Sequence, residues 1–351
     1  MSHFIQLHLL TSYPPANLNR DDLGRPKTAV MGGKQRLRVS SQCLKRTWRT
    51  SDVFREALGS HVGTRTKLVG PQIFERLFEG GRTENQALSA VEKIVDQFGA
   101  LESKEKKFKH KQLVHYSPAE LSAIDALVTT LIEEGRDPED GELKLLREEH
   151  ASVDIAMFGR MLADTPRYNM EAAVQVAHAL SVHEAAIEDD FFTAVDDLND
   201  GRDDSGSAHM GHIEFGAGLF YTYVCIDREE LERNLNGNKE LAETAIRALI
   251  EAAATTAPSG KQNSFGSRAW ANYVLAESGD AQPRSLSVAF LKPVSGDEYL
   301  RSAINALQDN RAQMEHAYGA SASAHYELNV PAGEGTLKGL LDFASEDKSP
   351  A

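Results

Sequence analysis

Segments with the residue pattern of β-strands lie near the start of the chain and again from residue 215, and a long helical stretch lies between them. Residues 4–10, FIQLHLL, alternate apolar and polar side chains. Residues 215–227, FGAGLFYTYVCID, are rich in aromatic and β-branched residues, and their two glycines predict a bulge or a close backbone approach. Between about residues 55 and 180, apolar residues recur at helical spacing. The order predicts an α+β fold, and a ferredoxin-like split βαβ core with a large helical insertion accommodates it.

Local signals predict further elements. Ser117 followed by Pro118 and Glu120 predicts a helix start, because these residues supply a cap, a first helical position and a capping box. Residues 188–211 are acidic, glycine-rich and short of aliphatic residues, which favours a projecting loop or hairpin. We also expect helices over residues 83–102, 117–134, 169–182, 241–253 and 299–318, and strands over residues 35–41 and 285–291.

The composition is typical of a globular protein. Of the 351 residues, 41% are hydrophobic and 26% are charged. No apolar run approaches the roughly 20 residues needed to cross a bilayer, and the first residues show no pattern of a cleaved leader. We therefore expect a cytoplasmic protein with no membrane partner. The only cysteines, Cys43 and Cys225, argue against a disulfide framework or a thiolate metal site.

The charge is segregated along the chain. A net charge of −14 argues against a nucleic-acid partner, because phosphate binding depends on lysine and arginine. Residues 1–49 nevertheless carry a local net charge of +7, which leaves −21 on the other residues. A polyanion responds to this local field, so the segregation indicates a polyanion partner. The basic residues of this segment are Arg20, Arg25, Lys27, Lys34, Arg36, Arg38, Lys45, Arg46 and Arg49.

The segment KQRLRVSSQCLKRTWR, residues 34–49, concentrates that charge at the start of a predicted helix. Alternation predicts a strand with Leu37 and Val39 facing a core, while Arg36 and Arg38 project the other way. The following SSQ supplies capping side chains, and the helix start binds anions through its backbone N–H groups. The pattern predicts a phosphate-binding site. Its alternative is a solvated basic helix edge held by the acidic remainder of the chain.

Motifs of common enzymes are absent from the sequence. There is no GxxxxGK[ST], HExxH, CxxC or GxSxG pattern. The adjacent pairs Asp21-Asp22 and Asp196-Asp197 could hold a divalent ion, but neighbouring residues on a strand point to opposite faces. We expect no catalytic residue, no cofactor and no metal site.

Several blocks in order resemble the CasC family, the repeated backbone subunit of the type I-E Cascade, the RNA-guided surveillance complex of CRISPR immunity. The resemblance covers the chain to about residue 227, and the C-terminal part is compatible with it. The blocks are LNRDD (18–22), GGKQRLRVSSQCLKR (32–46), VDIAMFGRM (153–161), FFTAVDDL (191–198), GSAHMG (206–211) and the following EFGAGLFYTY.

The resemblance implies an RNA-recognition-motif-like (ferredoxin-like) palm, a large helical fingers insertion and a thumb loop. The palm would comprise residues 1–56 and 215–345, the fingers 57–182 and the thumb 186–214. Residues 346–351 would form a disordered tail.

It also implies a function: a non-catalytic subunit that polymerises as a helical filament along the CRISPR RNA spacer and leaves the bases free to pair with target DNA in antiviral defence. The implied partners are the CRISPR RNA, target double-stranded DNA through guide pairing, further copies of the chain, and the large subunit, small subunit, CasD and CasE of Cascade.

Carried over by motif, the RNA contacts are Arg20, Lys27, Lys34, Arg38, Ser40, Gln42, Lys45, Arg46, Arg49, Met161, Phe191, Phe192 and Thr193. The last three belong to the thumb, which would push one nucleotide out of the stack. Cys43 departs from the family pattern, where a serine is more typical. Lysines 104, 106, 107, 109 and 111 could serve a DNA-facing role.

Three alternatives stay open. The chain could be a metal-dependent endoribonuclease of a related CRISPR class that uses Asp21 or Asp22. It could be a protein scaffold whose basic segment binds acidic partners. Phe191 and Phe192 could plug a neighbouring hydrophobic surface rather than stack on bases.

Overall fold

The computed structural model describes residues 3–147, 152–162, 165–194 and 209–346. The chain divides into two compact units. The sheet unit comprises Met1–Phe54, Gln175–Ile226 and Ile246–Ala351, and the helical unit comprises Arg55–Val174 and Asp227–Ala245. The boundaries of palm, fingers and thumb stay predictions. Within the described ranges, no helix combines the length and apolar character that a membrane span requires.

The described strands differ widely in length. They are β1 (Phe4–Ala16), β2 (Thr28–Met31), β3 (Lys34–Val39), β4 (Thr64–Thr66), β5 (Val114–Tyr116), β6 (Val174–Val176), β7 (Ala179–Ser181), β8 (Glu188–Ala194), β9 (His209–Asp227), β10 (Tyr273–Gly279) and β11 (Ala324–Asn329).

The described helices are α1 (Ser41–Arg49), α2 (Asp52–Leu58), α3 (Val69–Glu79), α4 (Glu84–Val95), α5 (Pro118–Glu134), α6 (Val153–Phe158), α7 (Arg228–Asn234), α8 (Lys239–Thr255), α9 (Gln262–Phe265), α10 (Tyr299–Tyr318) and α11 (Leu337–Ser345). Short 3₁₀ helices cover Gly59–His61, Asp96–Phe98, Lys104–Lys106, Pro166–Tyr168 and Ser287–Phe290.

The main sheet has the order β11-β10-β1-β9-β7-β3-β2, and β6 and β8 also pair with β9. Antiparallel ladders join β1 to β10, β10 to β11, β3 to β7 and β7 to β9. The prediction of a mixed fold whose sheet strands are far apart in sequence is confirmed.

The core of the sheet unit lies against α10 and the 3₁₀ turn before it. In this core, Leu10, Tyr221 and Leu275 of the sheet pack against Phe290 of the 3₁₀ turn and Leu307 of α10. In the helical unit, α3, α4 and α5 bury a separate core. These helices have apolar residues on one face, so their packing removes a continuous apolar stripe from water.

A buried polar cluster lies within the sheet unit, and we call its four residues the Glu277 cluster: His8, Glu277, Arg284 and Arg311. Glu277 Oε2 lies 2.6 Å from Arg284 Nη1 and 3.2 Å from His8 Nε2, while its Oε1 accepts from Arg311 Nε at 2.8 Å. Burial acts to raise the pKa of Glu277, but the hydrogen bonds from His8, Arg284 and Arg311 outweigh it and hold the pKa well below its usual range. Burial lowers the pKa of His8.

Two sequence predictions are wrong. Residues 169–182 form β6 and β7 rather than a helix, because their backbone pairs with β3 and β9 and the sheet overrides the helical spacing. Residues 285–291 contain a 3₁₀ turn rather than a strand, and Leu286 and Phe290, four residues apart, are both buried. A short apolar run fits either element, and tertiary packing decides between them.

Other predictions are confirmed. Ser117 Oγ accepts from the N–H of Glu120 at 3.2 Å, and the Glu120 carboxylate accepts from the Ser117 N–H at 2.9 Å. Helix α10 covers the predicted span of residues 299–318, and α8 contains the predicted span of residues 241–253. The helix predicted over residues 83–102 begins with Thr83 as its cap but ends at Val95.

Candidate nucleic-acid interface

The hairpin of β2 and β3 presents the first basic residues of the segment. Its turn, Gly32-Gly33, has φ angles of 59° and 73°, which suit the primed turns of two-residue hairpins and favour glycine. A Cβ on Gly32 would lie 1.7 Å from the carbonyl oxygen of Leu291, so no side chain fits there. The turn places Lys34 at the start of β3, where its exposed ammonium lies 3.1 Å from Glu184 Oε2.

The prediction that Arg36 projects away from the core is wrong. Its side chain is fully buried, and its guanidinium donates to the carbonyl oxygens of Ser181 at 3.0 Å and Phe290 at 2.9 Å. Burial lowers the pKa of this group. Arg36 therefore joins β3 to β7 and to the 3₁₀ turn, and it is unavailable to a ligand.

Arg38, two residues along the same strand face, is only half-buried. Its Nε donates to the Thr28 carbonyl oxygen at 3.3 Å, and its Nη1 lies 3.0 Å from Nδ1 of His178. Its backbone N–H donates to the Lys27 carbonyl oxygen at 2.8 Å. The guanidinium is thus held at the surface beside Lys27.

Helix α1 begins as the sequence predicts. Ser40 is the N-cap, and its Oγ accepts from the N–H of Cys43 at 3.3 Å. Leu44 and Trp48 are buried and anchor the helix to the sheet unit. Gln42 and Arg46 are exposed on the other side, whereas Lys45 and Arg49 are half-buried. Burial lowers the pKa of the Lys45 ammonium.

Asn19 connects these elements. Its side-chain oxygen accepts from the N–H of Ser40 at 2.9 Å, and its backbone carbonyl oxygen accepts from the N–H of Lys27 at 2.9 Å. The cap of α1, the entry to β2 and the loop that carries Arg20 are therefore fixed to one residue. We call the loop of residues 18–27, the β2–β3 hairpin and α1 together the basic surface.

Asp21 stabilises that loop by accepting hydrogen bonds from its backbone. Its Oδ1 accepts from the backbone N–H groups of Leu23 and Arg25, each at 2.9 Å, and its Oδ2 accepts from Arg25 Nε at 3.2 Å. The bond from the Arg25 backbone, followed by those from Leu23 and the Arg25 side chain, lowers the pKa of Asp21. The turn leaves Arg20 exposed, opposite Pro26 in an isolated bridge.

A polar cleft of about 440 Å³ opens between this loop and α1. Gly260 forms part of its far wall, where a Cβ would lie 2.3 Å from the Leu18 carbonyl oxygen. The cleft brings two predicted residues, Arg20 and Arg46, to one site. Its lining is Leu18, Asn19, Arg20, Asp21, Cys43, Arg46, Thr47, Thr50, Ser259 and Gly260.

The predicted hairpin of residues 188–211 is confirmed over its described arms. Strands β8 and β9 pair antiparallel, with Phe191 opposite His212 and Phe192 opposite Gly211. Phe191 is 55% exposed. Phe192 covers Gly211, where a Cβ would lie 2.5 Å from its ring. The rest of the hairpin, including Asp196-Asp197, lies outside the described residues.

Gly216 also confirms a predicted close approach, since a Cβ there would lie 2.9 Å from the Ala186 carbonyl oxygen.

In the helical unit, Met161 is 81% exposed and follows Arg160, whose guanidinium is buried against Glu120 at 2.7 Å. The lysine-rich stretch is partly used internally, because Lys106 lies 3.0 Å from Glu102 and Lys107 lies over the ring of Phe74.

The sequence matches the model of the CT1975-like protein family over residues 5–339. The chain belongs to this family.

The structure of this CT1975-like chain is similar to a solved chain described as a CRISPR RNA-guided surveillance complex, pre-nicking, with a TM-score of 0.84 and 29% identity over 97% of this chain and 99% of that one. A second, described as a CRISPR RNA-guided surveillance complex, has a TM-score of 0.60 and 27% identity over 96% and 92% of the two chains. The comparison with curated sequences gives no match. The CasC resemblance is confirmed at the level of the family.

Sequence reasoning missed several residues of the site in this CT1975-like chain. Asn19 carries a weak turn signal, and Gly260 lies more than two hundred residues from the loop that it contacts. His178 was assigned to a helix. Only the fold brings these residues to the basic surface.

Proposed function

We propose that the chain is a component of a Cascade surveillance complex, in which it binds the backbone of the CRISPR RNA spacer. The proposal rests on the hydrogen bonds of Asn19, which join Lys27, the cap of α1 and the loop that carries Arg20. These elements lie in a segment of local charge +7. Two similar solved chains are described as CRISPR RNA-guided surveillance complexes. Donors of this kind position a phosphate backbone and carry no base readout.

The same proposal assigns a role to each part of the chain. The sheet unit acts as an RNA-recognition-motif-like palm, the helical unit as fingers and the β8–β9 hairpin as a thumb, in a type I-E complex whose copies of this chain line the guide. The exposed ring of Phe191 suits stacking on a base. Target DNA is engaged through pairing with the guide rather than by protein contacts to its bases.

We propose that the subunit is non-catalytic. The endoribonuclease alternative uses Asp21 or Asp22, and of these two Asp21 already accepts three hydrogen bonds within its own turn. Metal-dependent cleavage of a bound RNA that Asp22→Ala abolishes would support the endoribonuclease instead.

The test is binding of the purified chain to guide RNAs that differ only in spacer sequence. We expect equal affinities and a steep fall with salt, because contacts to a single strand release about 0.7 counterion per phosphate. Sequence-selective binding would contradict the proposal. A chain purified at low salt from cells that express a guide, yet free of nucleic acid, would favour the protein scaffold.

A further inference from the structure

The imidazole of His178 lies beside Arg38 and Lys27 on the basic surface. It directly precedes β7, and the ladder between β3 and β7 pairs Val39 with Ala179. One step further in the same register, His178 comes opposite Ser40, the cap of α1. His178 is exposed.

The contact with Arg38 defines the tautomer of this ring. A guanidinium only donates hydrogen bonds, so the His178 Nδ1 that lies 3.0 Å from Arg38 Nη1 must be an unprotonated acceptor. The proton of the neutral ring is then on Nε2. Burial, followed by the positive charges of Arg38 and Lys27, lowers the pKa of His178, which is consistent with a neutral ring.

Among the described residues, none forms a hydrogen bond with Nε2 of His178. The ring thus holds Arg38 with one nitrogen and has an N–H donor on the other. An RNA strand bound by Arg38 and Lys27 would therefore meet a third donor at this ring, directed at a different backbone oxygen.

Building on the proposed RNA-binding function, we propose that His178 is a further RNA contact: its Nε2–H donates to a backbone oxygen of the RNA, a phosphate or a ribose 2′-hydroxyl, while its Nδ1 positions the Arg38 guanidinium. A histidine in such a position contributes a direct contact and acts through Arg38 as well.

The test measures the affinity of the native chain and its variants for one guide RNA. His178→Ala should weaken binding about fivefold to tenfold, as expected for the net loss of one ordinary hydrogen bond. His178→Asn keeps an acceptor near the position of Nδ1, and His178→Gln keeps a donor near that of Nε2, so each should restore part of the loss. His316→Ala, an exposed histidine of α10, is the matched control and should bind as the native chain does.

A double-mutant cycle with Arg38→Ala separates the two roles of the ring. In that background, His178→Ala should weaken binding by only about twofold to threefold, because the positioning role is already lost. A guide of the same sequence with 2′-deoxyribose identifies the acceptor: an unchanged ratio between the affinities of His178→Gln and His178→Ala indicates the phosphate, and a ratio that falls to one indicates the 2′-hydroxyl.

Binding of His178→Ala within twofold of the native chain would overturn the inference, and so would equal losses for all three His178 variants together with a lowered melting temperature. Lys45→Ala/Arg49→Ala serves as the reference. If that double variant also binds as the native chain does, the basic surface is not the RNA site and the proposed function itself fails. If it loses binding while His178→Ala does not, only this inference fails.

Discussion

The Glu277 cluster and the basic surface use the same residue types in opposite ways. In the cluster, arginines lie against a fully buried carboxylate and complete its hydrogen bonds. On the basic surface, Arg20 and Arg46 line an open cleft. A buried charge without its partner is costly, whereas an exposed one contributes little to folding and is available to a ligand. Burial therefore distinguishes the charges that stabilise the fold from those that a ligand can reach.

The largest expected effect comes from breaking the cluster. Glu277→Gln removes the carboxylate that pairs with Arg284 and one of the two that pair with Arg311, the other being Glu315, and should lower the free energy of unfolding of the sheet unit by about 3–5 kcal/mol. Denaturant unfolding measures it. Glu298→Gln removes the exposed partner of Arg301, 3.2 Å away, and should cost below about 1 kcal/mol. Equal losses for the two variants would contradict the distinction between buried and exposed charges.

The same cluster predicts a pH dependence. Because the pKa of Glu277 is lower in the folded chain than in the unfolded one, its contribution is fully present above the unfolded pKa of about 4.3. That contribution declines as the pH falls toward the folded value. The stability difference between the native chain and Glu277→Gln should therefore shrink below about pH 4, and a difference independent of pH would contradict the ionised state.

Arg36 and Arg38 provide the sharpest pair, since they share one strand face. Arg36→Met leaves two carbonyl oxygens without their donor and should cost about 2–4 kcal/mol of stability. Arg38→Met should cost below about 1 kcal/mol but weaken RNA binding. Thermal unfolding and RNA titration of both variants test this. If Arg36→Met kept its stability and lost RNA binding, the result would contradict the structure.

On the basic surface itself, Lys45→Ala/Arg49→Ala should weaken assembly on RNA by at least about tenfold. The slope of log affinity against log salt should become shallower by about 1.4, since each lost contact to a single strand removes about 0.7. The free energy of unfolding should fall only by the small contribution of the packed aliphatic stems, because both side chains are only half-buried. Normal assembly would mean that the helix start is not an anion site.

The smallest effect is expected at Cys43, which lines the cleft. Burial raises the pKa of its thiol, so the group is neutral at neutral pH. Cys43→Ser keeps a neutral group of similar size and should change stability by less than about 0.5 kcal/mol and RNA affinity less than about twofold. A larger change in affinity would show that the thiol contacts the RNA.

The sequence was most informative where structure depends on neighbouring residues. The caps Ser40 and Ser117 and the span of α10 were predicted correctly, because capping and helical spacing act within one or two turns. It was least informative at residues 169–182, where pairing with strands from elsewhere in the chain outweighed the local pattern. Sheet pairing is a long-range interaction, so it leaves a weaker local signal.

The sequence by itself determined the separated strands, the helical insertion, the family motifs and the concentration of positive charge in residues 1–49. Only the tertiary structure decided what each charge does. Alternation places Arg36 and Arg38 on the same face, but β7 and the 3₁₀ turn cover the first and leave the second at the surface beside His178. The physical reason is that the free energy of a charge depends on its solvent exposure and its partners, and residues distant in sequence supply both.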